Sequence, residues 1–329
     1  MFSRKHTATT ALGLVGLFAL AGCGLNPSTS EVPAVAEGSI EPVEGADGEN
    51  LVVTSKNFTE QIILGKIAVL TGDAAGFDVQ DLTNVPGSQP VRNLMTTGDA
   101  DVTIEYTGTA WLTYMGHEKG IPDKQEQWQA VHDEDLGNGL TWGAPGTLNN
   151  TYAMAVRSDY SEANGITKLS DMAKVPVEDR TLCVDSEFNS RSDGLNPMLS
   201  AYGIERGTPE GVPDSNIAIL DTGTVYSATA GGETCNFGEV FTTDGRIDAL
   251  DLTVLEDDRS FFPAYNASAV LNTEFLDQYP ELEDRYNEVV ARLTDEKMRD
   301  MNLKVDVEGQ DPAQVAFDWM VEEGFIQES

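Results

Sequence analysis

Lys56 follows an apolar run, Leu51-Val52-Val53-Thr54, and Tyr106, Thr107, Gly108 and Thr109 follow another from Asp101 to Glu105. Tyr152 begins the crossing into the second half of the chain, and Arg191 lies in a loop after Thr181 to Asp185. Phe241 ends the run from Gly238, and Tyr265 follows Phe261-Phe262-Pro263. Ring faces attract cations through their quadrupole, while Lys and Arg donate charge-assisted bonds to anionic groups. If the apolar runs are strands of open α/β sheets, ligands belong beyond their carboxyl ends. Two cations, a hydroxyl and four aromatics then converge on one crevice, a set suited to noncovalent capture; core aromatics placed at random would scatter along strands and helix faces.

Nothing in the sequence adds bond-making chemistry to that set. There is no Gly-x-Ser-x-Gly elbow, P-loop, Gly-x-Gly-x-x-Gly or His-Glu-x-x-His, so no cofactor is expected. His117 and His132 lie in a polar, helix-like region and read as surface residues. Asp185, Glu187 and Asn189 alternate like calcium ligands, but Ser190 stands where such a loop needs glycine and no closing Glu follows, so no metal is expected.

The elements that must position these residues read as α/β from Leu51 onward. Strands are expected at Leu51 to Thr54, Asp101 to Glu105, Tyr152 to Val156, Thr181 to Asp185, Ile217 to Asp221 and Gly238 to Phe241. Thr59 to Gly72 reads as a helix with Ile62, Ile63, Ile67 and Leu70 inward; a second opens with Pro90 at its first position. A last helix has Asp311 as N-cap, Pro312 at N1 and Gly324 as its stop, returning to brace the first lobe. Gly98-Asp99, strand, Tyr106-Thr107 echoes Gly232-Glu233, strand, Phe241-Thr242, which points to two similar lobes.

The chain has 329 residues, more than one hydrophobic core usually serves. Its formal charge of −35 excludes a nucleic-acid role, which needs a basic face. Arg4 and Lys5 precede an apolar run from Ala11 to Gly22; about 18 Å of helix falls short of a hydrocarbon core of ~30 Å. Residues 1–22 therefore read as an export signal. Leu20-Ala21-Gly22-Cys23 resembles the lipobox of bacterial lipoproteins, which implies a lipid on Cys23. Residues 23–50 have three prolines, six acidic residues and no Lys, Arg or aromatic, and read as a lipid-anchored, solvated tether. Cys183 and Cys235, the remaining thiols, are expected to pair in an oxidising compartment.

Six motifs in order make a family visible. Ser55-Lys56-Asn57-Phe58-Thr59-Glu60-Gln61, Glu105-Tyr106-Thr107-Gly108-Thr109, Asn150-Thr151-Tyr152-Ala153, Glu187-Phe188 to Arg191 with Asp193-Gly194, Thr243-Asp244-Gly245-Arg246-Ile247 and Phe261-Phe262-Pro263-Ala264-Tyr265 resemble the substrate-binding proteins of osmoprotectant ABC importers. The resemblance implies a two-lobed periplasmic-binding-protein-like fold (type II) with a discontinuous first lobe, 51–152 plus 266–329, and a second lobe over 153–265. It implies an aromatic box of Tyr106, Tyr152, Phe241 and Tyr265 for a quaternary ammonium group, and Lys56, Thr109 and Arg191 as carboxylate partners. Relatives commonly carry Tyr at Phe241, so a phenol is lost from that wall.

A trimethylammonium group has no N–H, so ring faces rather than hydrogen bonds select it. With rings at one end and Lys56 and Arg191 at the other, a betaine satisfies both, whereas choline leaves two cations unpaired. The expectation is a non-enzymatic, monomeric binding protein on the outer face of the cytoplasmic membrane, partnered by a permease and its ATPase and capturing glycine betaine. Tyr106 and Thr109 are expected on one lobe and Arg191 and Phe241 on the other. The alternatives are a choline or other quaternary-amine binder, or a lipid-anchored enzyme or adhesin on the same scaffold.

Overall fold

The computed structural model describes residues 30–328 and contains two five-stranded mixed sheets. The first is built from β2 (Asn50–Lys56), β3 (Asp78–Val85), β4 (Val102–Tyr106), β5 (Leu140–Trp142) and β11 (Ala267–Asn272). The second holds β6 (Tyr152–Arg157), β7 (Leu182–Val184), β8 (Ile217–Ile219), β9 (Phe237–Phe241) and β10 (Leu252–Val254). Their orders are β3-β2-β4-β11-β5 and β8-β7-β9-β6-β10. In each, the first three strands are parallel, the fourth runs opposite to them and the fifth, antiparallel to the fourth, runs with the first three. The chain crosses between the sheets near 149–151 and 264–266, where Asn149 and Asn266 form a bridge.

The internal echo has a structural basis. β4 and β9 occupy the same place in the two sheets, and each follows a helix, Ser88–Thr97 or Thr222–Gly231. Gly98 and Gly232 end those helices with left-handed backbone, φ 73° and 69°, where a side chain would be strained. Tyr106 and Phe241 thus finish equivalent strands and arrive at one crevice from opposite sides.

The Thr59–Ala74 helix is the core of the first lobe, with Ile63, Leu64, Ile67 and Leu70 wholly buried. The Pro312–Glu322 helix packs on it. Asp311 caps that helix through the amides of Ala313 (2.8 Å) and Gln314 (3.4 Å), and Gly324 is left-handed. The Pro90 helix begins earlier than expected, at Ser88; Pro90 still lies in the first turn, where amides lack intrahelical partners.

The tether expectation needs correction over 30–49. Val35–Glu37 (β1) pairs with Ile326–Glu328 (β12), and Ile40, Val43 and Ala46 are at most 5% exposed. Gly38 approaches so closely that a Cβ would lie 2.2 Å from Phe325 O. Average composition misjudges such a stretch, because isolated apolar residues can plug a neighbouring surface without any periodicity. Lys66, fully buried in the first helix, pairs with Asp81 and donates to Ser30 O at 2.7 Å. The signal, Cys23 and residues 23–29 lie outside the described residues. Among the described residues no helix is long and apolar enough to cross a membrane.

Candidate functional site

All seven residues singled out from sequence line one cavity of ≈ 330 Å³ between the sheets. Lys56, Tyr106 and Thr109 come from the ends of β2 and β4 in the first lobe, and Arg191 and Phe241 from beyond β7 and at the end of β9 in the second. Tyr152 and Tyr265 come from the two crossings. Register brings Tyr152 directly opposite Phe241. Gly108 lets Tyr265 lie against the backbone after β4: a Cβ there would sit 2.5 Å from the ring.

Tyr152 is the centre of the ring set, 5.2 Å from Phe241 and 5.8 Å, edge-on, from Tyr265. Phe58 of the first lobe stacks on Phe241 of the second at 5.1 Å, extending the wall across the cleft. Sequence reasoning overlooked Phe58 although it stands two residues after Lys56 in a quoted motif. Tyr106 is separate from this contiguous group: Lys56 Nζ sits 4.7 Å from its ring centroid.

Two expectations about the cations fail. Rings and cations do not occupy opposite ends, because Lys56 lies over Tyr106 and Arg191 Cζ lies 5.2 Å from the Tyr152 centroid. Nor are the cations unpaired. Lys56 Nζ donates to Glu105 Oε1 at 2.6 Å, in a pair buried on both sides. Arg191 donates to Asp193 through Nε (2.7 Å) and Nη2 (2.6 Å), and to Glu187 Oε1 through Nη1 at 3.1 Å. Burial demands this pairing, since an isolated charge would be too costly to desolvate. An ammonium has three protons and a guanidinium five, so both groups keep donors for a ligand.

The surrounding network ties the lobes. Tyr265 Oη donates to Asp193 Oδ2 at 2.6 Å, and Ser88 of the first lobe donates its hydroxyl proton to Glu187 of the second. Burial works against charge on Glu187, but Ser88, Lys56 and Arg191 prevail and hold its carboxyl below the usual range. Burial likewise opposes the Arg191 charge, yet Tyr152, Asp193 and Tyr265 keep it well above its ordinary value.

Asp185, Glu187, Asn150, Thr222 and Arg246 also line the cavity and were missed as site residues. The strand-end rule reaches Asp185 just as it reaches Lys56, because Lys56 ends β2 and Asp185 directly follows β7, the equivalent strand of the second sheet. Asp185 accepts from Phe188 N (2.8 Å) and Thr222 Oγ1 (2.9 Å), and burial pushes its carboxyl up. No cation pairs with it among the described residues. The two histidines are outside the cavity lining and partly exposed at the surface, as expected, each leaning on a tryptophan: His117 stacks on Trp111 at 3.5 Å and His132 lies against Trp128.

Behind Asp185, Glu239 accepts the Asp185 amide at 2.8 Å. Burial first, with Asp185 adding to it, pushes the Glu239 carboxyl well above its usual range. A carboxyl raised in the folded state contributes stability fully below its unfolded pKa, and that contribution fades as pH rises through the folded value. Glu239→Gln keeps an acceptor for the amide and is expected to remove the fade. Urea midpoints at about pH 5 and about pH 8 should differ less than in the wild type; an unchanged difference would acquit Glu239 of this role.

Residues 49–322 match the family model for the substrate-binding domain of ABC-type glycine betaine transport systems. A glycine-betaine-binding protein of Pseudomonas aeruginosa is 34% identical over 291 residues, covering 86% of this chain and 91% of the relative. The Listeria monocytogenes carnitine transport binding protein OpuCC is 28% identical over 295 residues, with 88% and 92% covered. A solved structure described as a glycine betaine/carnitine/choline ABC transporter superposes with a TM-score of 0.67 at 28% identity, covering 84% of this chain and 99% of that one. With a ring-lined cleft between two lobes and the family model spanning most of its length, the chain belongs to the non-enzymatic substrate-binding domains of ABC-type glycine betaine transport systems.

Proposed function

We propose that this protein captures glycine betaine in the cleft between its lobes and presents it to a membrane permease driven by an ATPase. The observation that carries the reading is the continuous ring wall of Phe58, Phe241, Tyr152 and Tyr265, with the N–H donors of Lys56 and Arg191 beside it. The wall suits methylated nitrogen, and the donors suit a carboxylate. The protein acts as a monomer held by lipidated Cys23 at the outer face of the cytoplasmic membrane, and closure of the lobes over the ligand shifts the population recognised by the permease.

Choline or another hydroxyl-bearing quaternary amine is the second reading, favoured by Asp185. The objection that choline strands two cations lapses, because Glu105, Asp193 and Glu187 already balance them. Asp185 offers an acceptor to a ligand hydroxyl.

Calorimetric titration with glycine betaine and with choline, singly and in competition, separates the readings. Glycine betaine is expected to bind more tightly, and Tyr152→Ala to weaken it by about 2- to 30-fold, corresponding to ~0.5–2 kcal/mol for one ring contact. Tighter choline binding that Asp185→Asn selectively weakens would replace the first reading with the second. Binding of neither would overturn both.

A further inference from the structure

Glu60 lies in the first turn of the Thr59–Ala74 helix, is 3% exposed and belongs to no ion pair among the described residues. Its Oε1 accepts from Tyr106 Oη at 2.6 Å and Asn150 Nδ2 at 2.9 Å. Its Oε2 accepts from Asn302 Nδ2 at 3.1 Å and from the hydroxyl of Thr243. The donors come from four separate segments: the end of β4, the first crossing, the turn after β9 and the Asp295–Asp306 helix. Asn302 also donates to Thr243 O at 2.9 Å.

Two amide and two hydroxyl donors aimed at two oxygens suit a carboxylate, which accepts at every position and needs to donate at none. The helix N-terminus favours the same charge. Burial nevertheless pushes the Glu60 carboxyl up, against all four bonds. Its charge therefore lowers fold stability as pH rises, which argues against a purely stabilising role.

Tyr106 lines the cleft from the first lobe, while Thr243 belongs to the second. We propose that Glu60 is a positioning residue for ligand capture, one buried carboxylate that fixes the Tyr106 ring and the approach of the second lobe together. The inference rests on the reading that the cleft takes a quaternary ammonium solute, which Glu60 itself does not touch. Removing Glu60 then disturbs ring placement and closure as one event.

The test is a double-mutant cycle read by calorimetric titration with glycine betaine and choline on the whole chain. For the ligand the wild type binds, Glu60→Gln and Tyr106→Phe are each expected to weaken binding about tenfold, and the double variant no more than about twofold beyond the worse single one. Unchanged affinity in Glu60→Gln, or strictly additive losses, would overturn the inference. Should Glu60→Gln not fold, Thr243→Val removes the second-lobe donor alone and must weaken binding; unchanged affinity there overturns it equally. A wild type that binds neither solute defeats the functional reading instead.

Discussion

Arg191→Ala is expected to reduce glycine betaine affinity by about 100-fold or more, and to lower the melting temperature as well. One lost charge-assisted bond to the ligand accounts for about 1.5–3 kcal/mol. The rest follows from what Arg191 holds in place. Its guanidinium forks onto Asp193, which receives the Tyr265 hydroxyl, and it also reaches Glu187, which bridges to Ser88 in the other lobe. Deleting the cation strands the buried Asp193 carboxylate and loosens Tyr265, a loss of the kind that runs to about 3–5 kcal/mol when one partner of a buried pair is removed.

Arg191→Lys tests the geometry separately from the charge. A point charge cannot serve two oxygens of Asp193 and one of Glu187 at once, so it should recover stability better than affinity. Calorimetric titration and thermal denaturation of both variants give the answer. Wild-type affinity in Arg191→Ala would remove Arg191 from the site.

Replacing Cys183 and Cys235 by Ser should destabilise the protein by about 4 kcal/mol while leaving ligand affinity in native buffer within about twofold. The disulfide joins residues 52 apart, from β7 to the turn before β9, with Cα atoms 5.7 Å apart. A cross-link over that span removes much of the freedom of the unfolded chain. Both sulfurs lie in a small cluster with Val225, on the Thr222–Gly231 helix, and neither cysteine lines the cavity. Urea denaturation of the double variant measures the loss, and titration at low denaturant measures binding. A loss under about 1 kcal/mol would mean that the unfolded chain keeps these segments together without the bond.

These predictions differ in how far sequence could have led to them. The ring and cation types at strand ends were legible because strand periodicity and chain order are local, and strand ends are where α/β sheets place ligands. The echo between the segments ending at Tyr106 and Phe241 reflects equivalent strands in two sheets, so it was legible for the same reason. Helix caps such as Asp311 were legible too, because a cap bonds within three residues of itself.

Pairing was not. Glu105 lies 49 positions from Lys56, and Glu60 gathers donors 46 to 242 positions away. Nothing local fixes which carboxylate a buried cation will meet; desolvation requires some partner, and only the folded chain chooses it. The same holds for residues 30–49, whose sparse apolar side chains are buried because a complementary surface exists elsewhere. Sequence by itself determined what kinds of groups meet at the cleft and from which strand ends they arrive. The tertiary structure alone decided that rings and cations interleave, that each cation is already balanced, and that one buried carboxylate joins both lobes, because burial energies depend on neighbours that chain order does not specify.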